Sequence, residues 1–126
     1  MQIEGLDHLV MTVADVETTC AFYTRVMEMQ VVTFGSGRKA LAFGRQKINL
    51  HEHGKEFEPK AITPTRGSAD LCFISPTPMS EIIHQLTEQE VEIIIGPVQR
   101  TGATGTLESV YFRDPDGNLI EVSNIR

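Results

Sequence analysis

The sequence predicts an α+β protein made of two βαβββ modules. Two observations carry this. A strand-period segment followed by a helix-period segment and three short strands occurs once before residue 54 and again after residue 67. Between the two runs lies GKEFEPKAITPTRG (54–67), with two prolines, two glycines and no hydrophobic period. The expected organisation is one domain over 1–126, with modules at about 5–53 and 68–126 joined by a linker at 54–67. The duplication is one of element order, not of residue identity.

Residues 6–13 (LDHLVMTV) alternate as a strand. Leu9, Met11 and Val13 share one face; Leu6, His8, Val10 and Thr12 share the other. Asp15 reads as the N-cap of a helix over roughly 15–28, with Val16, Cys20, Tyr23 and Met27 as its inner stripe. Strands at 30–35, 38–44 and 46–52 follow, punctuated by Gly35, Gly37 and Gly44. In the second module a strand at 69–74 leads to a helix over roughly 78–89, opened by Thr77-Pro78, with Ile82, Ile83 and Leu86 inward. Strands at 91–95, 107–113 and 118–123 complete it, with a glycine-bearing loop at 96–105. Short turns between the last three strands of each module favour antiparallel pairing, while a parallel crossover for the strand after each helix stays open. Asp114-Pro115-Asp116-Gly117 is a turn that fixes the register of the last strand.

Composition narrows the function classes. A chain of 126 residues that is 40% hydrophobic can build a real core. A net charge of −6 argues against nucleic acid, which needs a basic surface. With no Trp and two Tyr, a stacking platform for bases is not expected either. No apolar run reaches the roughly 18–20 residues needed to cross a bilayer. The N-terminus MQIEGLDHLV has neither a basic nor a long apolar stretch, so a cytoplasmic protein is expected. Cys20 and Cys72 sit in apolar segments and read as reduced, packed residues.

The informative residues are polar ones where strands should be apolar. His8 lines up with Asp70 in the first strand of each module, and Asn49 with Glu121 in the last. Because side chains alternate, these residues and His51 project to the face opposite Leu9, Ile48, Leu71 and Ile120. Grouped carboxylates are costly without a positive partner, and a divalent ion such as Mn, Fe, Zn, Ni or Co would offset that cost. Lys60, Arg66 and Arg100 lie in loops where they could meet an anionic substrate, or be plain solvated charges. Ser109 and Tyr111 share one face of their strand and could reach the same site. The small residues Gly102, Ala103 and Gly105 could close over a ligand or form a plain hairpin. His84 reads as a surface residue, Phe34, Phe43 and Phe73 as core, and Phe57 as a cap over the site or an interface.

The segments LDHLVMTVADVETTCAFYTRVMEM (6–29) and VYFRDPDGNLIEV (110–122) resemble the vicinal oxygen chelate superfamily, the glyoxalase, bleomycin-resistance and extradiol-dioxygenase group. Residues 38–61 and 96–105 are most similar to the glyoxalase-domain-containing-5 group and to bacterial proteins labelled virulence proteins. The resemblance covers nearly the whole chain. It implies paired βαβββ modules in a cupped, mixed sheet around a metal, with ligand positions at His8, Asn49, Asp70 and Glu121. Asp70 stands where the family usually has His, and Asn49 replaces a carboxylate of the glyoxalases. The expected ligand set is therefore His8, Asp70 and Glu121, which favours Mn, Fe or Mg over Cu. Asn49, Lys60, Arg100, Ser109 and Tyr111 become expected substrate contacts, with Glu121 and His51 catalytic; His51 is also the reserve ligand. The implied activity is that of a metal-dependent lyase, isomerase or dioxygenase on a small molecule, in a homodimer. Ring-cleaving relatives usually keep two histidines, which the matching positions here do not. The alternative is a metal-free protein that sequesters a small compound, as bleomycin-resistance relatives do.

Overall fold

Asp15 caps the first helix as its residue type demands. Its backbone is extended (φ −145°, ψ 114°), and its carboxylate accepts from the Glu17 amide at 3.0 Å and the Thr18 hydroxyl at 3.1 Å. In the computed structural model, which describes all of residues 1–126, this helix, α1 (Val16–Met27), follows strand β1 (His8–Val13). It ends at Glu28 in the left-handed conformation, whose amide returns to the Tyr23 carbonyl. The buried stripe is Thr19, Cys20, Phe22, Tyr23 and Val26. Cys20 and Tyr23 are inward as expected, but Val16 and Met27 are only half-buried. The stripe is rotated toward Phe22 and Val26, the residues that α1 presents to the strands beneath it.

The chain divides into two units, Met1–Gly67 and Ser68–Arg126. In the first, β2 (Gln30–Phe34), β3 (Arg38–Phe43) and β4 (Gln46–Glu52) complete a mixed sheet of order β1-β4-β3-β2. β2, β3 and β4 are antiparallel neighbours, while β1 and β4 run parallel, with Leu9 opposite Ile48 and Met11 opposite Leu50. Met11, Val13, Leu41, Ile48 and Leu50 are buried on one face. Each contributes on the order of 1.5–3 kcal/mol by leaving water. α1 lies against β2, β3 and β4.

The second unit repeats the plan. β5 (Asp70–Ile74), α2 (Met79–Glu88), β6 (Ile95–Thr101), β7 (Thr106–Arg113) and β8 (Leu119–Ile125) form a mixed sheet of order β5-β8-β7-β6, with β5 and β8 parallel. Its core is Met79, Ile82 and Leu86 of α2 with Leu107, Val110, Phe112, Ile120 and Val122 of the sheet.

Two expectations need correction. The strand expected at 91–95 begins only at Ile95 and continues through the supposed loop to Thr101. β6 is an edge strand, and a bulge between Ile95 and Val98 takes Pro97 out of the ladder, so its missing N–H costs nothing. Gly96 is required there: at φ +113°, a Cβ would stand 2.5 Å from the Ser109 carbonyl oxygen. The segment expected as a linker, 54–67, belongs to the first unit, and Phe57 within it packs against that unit's sheet.

Candidate functional site

The register settles which side chains share a face. In the second unit Asp70, Cys72 and Ile74 of β5 align with Leu119, Glu121 and Ser123 of β8, and Tyr111 and Ser109 of β7 stand opposite Glu121 and Ser123. All lie away from the apolar set Leu71, Ile120 and Val122. Glu121 is half-buried at the centre of this group. The Ser123 hydroxyl donates to Glu121 Oε2 at 3.3 Å, and the Tyr111 hydroxyl contacts the same carboxylate. Ser123 is itself held by Ser109, Oγ to Oγ 2.6 Å, both fully buried. Arg100 Nε donates to the Tyr111 hydroxyl at 2.9 Å, and its guanidinium stands 5.4 Å from that ring's centroid. Burial, and then the Glu121 carboxylate, push the Tyr111 phenol above its usual range despite Arg100, so it stays protonated and able to donate.

Cys72 was expected to be packed, and it is exposed. It faces Glu121 across the β5–β8 pair, with Sγ 3.3 Å from Ser123 Oγ. Alternation already contained this: with Leu71 and Phe73 turned toward the core, residue 72 must turn away.

In the first unit the corresponding face carries His8, Val10 and Thr12 of β1, Lys47, Asn49 and His51 of β4, Arg38, Ala40 and Ala42 of β3, and Val32 and Phe34 of β2. His8 is exposed, and its Nδ1 lies 2.8 Å from Asp7 Oδ2. A carboxylate at one ring nitrogen fixes the tautomer and leaves Nε2 as a free lone pair, the arrangement that metal-ligating histidines use. His51 differs. It is 2% exposed, and its Nε2 accepts from Arg38 Nη2 at 3.4 Å. A guanidinium cannot accept, so the proton sits on Nδ1. The lone pair that a general base or reserve ligand would use is thus turned onto Arg38.

Burial and then Arg38 hold the His51 pKa below its ordinary value. The consequence for stability has a definite sign. A depressed His pKa means the unfolded chain binds the proton more readily, so the contribution is complete above the ordinary pKa of 6.5 and is lost as pH falls through the folded value. Denaturation in urea from pH 8 downward is expected to show this loss, with a slope no steeper than about 1.4 kcal/mol per pH unit for one proton. His51→Gln should flatten that limb. An unchanged slope would show that His51 titrates freely.

Other expected contacts are placed differently. Lys60 pairs with Glu58 at 3.5 Å and Glu56 at 3.7 Å, two carboxylates close before it in sequence, which neutralise the role foreseen for it. Phe34 is not core: it lies on the polar face with cations against its ring. His84 pairs with Glu88 at the surface, as expected. Asn49 is buried, with its side-chain oxygen unpartnered. The residue the sequence reading passed over is Arg38. Its position on the strand face that also carries Asn49 and His51 was the available signal.

Neither unit gathers three His, Cys, Asp or Glu side chains in a way that could hold a metal ion. The donors fit one chemically: His8 presents a free Nε2 beside an orienting carboxylate, and Glu121 is a supported carboxylate off the core face.

This fold and these face residues define a recognisable class. Residues 5–122 match the Glyoxalase/Bleomycin resistance protein/Dioxygenase superfamily, and the chain belongs to it. Among named relatives, it is 56% identical over 123 residues to "Virulence protein STM3117" of Salmonella typhimurium strain LT2, spanning 98% of this chain and 85% of that protein. The crystal structure of that protein superposes with a TM-score of 0.99 over 100% of both chains. It is 53% identical over 124 residues to "Glyoxalase domain-containing protein RDO1" of Mycosarcoma maydis, spanning 98% of this chain and 70% of that one. Below 25% identity the fold alone is shared. Lactoylglutathione lyase from Agrobacterium tumefaciens (22%, TM-score 0.75, 98% and 96% covered) is one such structure. The fosfomycin resistance protein FosX from Listeria monocytogenes, complexed with Mn(II) and sulfate, is another (21%, TM-score 0.70, 99% and 93% covered). No helix is long and apolar enough to cross a membrane.

Proposed function

We propose that this chain is a metal-dependent enzyme of the vicinal oxygen chelate type, acting on a small anionic molecule that offers two adjacent oxygens. Its ligands are His8, Asp70 and Glu121. The observation that supports this most is Glu121: a carboxylate in the middle of a strand, off the core face, supported by Ser123 and Tyr111. The family and its Mn(II)-bound member FosX support the same reading. A bound divalent ion would supply Lewis acidity toward the substrate oxygens.

The chain's own residues do the rest. Asp7 orients the His8 ring. Ser123 fixes Glu121, and Tyr111, held by Arg100, offers a hydroxyl proton beside it. A protonated phenol next to a carboxylate suits hydrogen-bond donation to a substrate oxygen, and a single His in the ligand set favours lyase or isomerase chemistry over ring cleavage. A cytoplasmic homodimer is part of the same reading, following the resemblance rather than any contact described above. The test is metal stoichiometry by plasma mass spectrometry on protein purified without added metal, for wild type and His8→Ala. Stoichiometric Mn, Fe, Ni, Zn or Co in the wild type and its loss in the variant is the expected pair of results. A wild type that refuses these metals would leave the metal-free sequestering protein as the better reading.

A further inference from the structure

Two cations in the first unit converge on one ring and have no counter-ion. Lys47 Nζ stands 4.2 Å from the Phe34 centroid, and the Arg38 guanidinium carbon 5.0 Å from it. Arg38 is also 4.5 Å from the Phe57 centroid, so the guanidinium has an aromatic ring on two sides. The chain's ion pairs include neither Arg38 nor Lys47. Arg38 Nε is buried and donates to nothing, and Asn49, 7% exposed, has an unpartnered side-chain oxygen. A flip of that amide would present N–H donors instead.

No acid occupies this face. Between the two cations the register places Ala42, half-buried, beside exposed Val32, while Ala40 and Asn49 are buried. Glu56 contributes to the electrostatics at His51, but it is already taken: its carboxylate accepts from the Gly54 amide at 2.7 Å and pairs with Lys60. Unpaired cations and an unused buried donor, flanked by aromatic and small apolar surface, amount to a receptor lacking its ligand's charge.

We infer that Arg38 and Lys47 bind the oxyanion of a small organic acid, whose compact apolar body lies against Phe34 and Val32. Arg38 offers a planar fork, pre-oriented by Phe34, Phe57 and the His51 acceptor, and Lys47 adds a point charge. Asn49, expected from sequence as a substrate contact, has its place here; Lys60 does not. This deepens the proposed enzyme reading by naming where an anionic group is held, but it needs no metal, and its test is made without one.

The test uses the full-length chain, treated with chelator, and three probes: benzoate, phenylphosphonate and the neutral benzamide. Binding is followed by backbone amide shifts at residues 38, 42, 47 and 49. Benzoate, phenylphosphonate or both should bind saturably with shifts confined to this face, while benzamide should not. Comparison of the two anions tells whether the site takes a carboxylate or a phosphoryl-type group. Arg38→Met and Lys47→Met should each weaken binding at least about tenfold, the loss of one charge-assisted contact. Should Arg38→Met fail to fold, Lys47→Met carries the test alone. Equal binding of benzamide, no saturable binding of either anion, or full affinity in a folded Lys47→Met would overturn the inference. A chain that binds benzoate and yet refuses every metal would keep this site and discard the enzyme.

Discussion

Glu121→Gln should abolish the metal binding proposed above while leaving the chain folded. Gln has the same shape and keeps an oxygen that can accept from Ser123 and Tyr111, so the side chain has no reason to move. What it loses is the negative charge that a divalent ion needs from an oxygen ligand. Metal affinity should fall roughly a hundredfold or more, since loss of even an outer partner to a ligand costs 10–100-fold. Circular dichroism and the urea midpoint should stay at wild-type values or rise slightly, because a part-buried carboxylate is replaced by a neutral amide. Metal retained at full stoichiometry by a folded Glu121→Gln would remove Glu121 from the ligand set.

The second large effect belongs to the turn that precedes β8. Asp114, 6% exposed, accepts at Oδ1 from the amides of Asp116 (2.9 Å) and Asn118 (3.0 Å) and at Oδ2 from the Asn118 side chain (2.8 Å). Asn118 is fully buried, and its own oxygen accepts from the Ala69 amide at 2.9 Å. One carboxylate therefore shapes the turn and, through Asn118, ties the start of β5 to the start of β8. Asp114→Ala leaves buried donors without acceptors and should cost about 2–4 kcal/mol, read from the urea midpoint at unchanged slope. Its effect should also reach the site, because the same turn sets the register that turns Glu121 away from the core. A loss below about 0.5 kcal/mol would show that water replaces Asp114 at no cost.

Much of this was legible in the residues. Two βαβββ runs, the Asp15 cap, the Asp-Pro-Asp-Gly turn and the off-core direction of Glu121 all follow from local chemistry and from the period of two in a strand. What stayed hidden depends on side chains that reach across strands. Phe34 looked like core because an aromatic on a strand usually is; its partnership with Arg38 and Lys47 exists only once β2, β3 and β4 are in register. β6 was hidden by Gly96 and Pro97, which punctuate a sequence as a loop but are tolerated on a bulged edge. Cys72 was misplaced although its neighbours had been assigned correctly. The pairing of Lys60 with Glu56 and Glu58 depends on how the 54–67 segment folds back on itself, which its aperiodic sequence does not show.

The parallel pairs have a kinetic meaning. His8 meets Lys47, and Asp70 meets Leu119, only after a helix and two hairpin strands have been laid down between them. Neighbouring strands joined by tight turns close short loops and can zip early, whereas β1 and β5 close the longest loops in their units. The strands bearing His8 and Asp70 are then the last to dock as each unit folds. A newly made chain would acquire its hairpins first and bring His8 and Asp70 into place at the end.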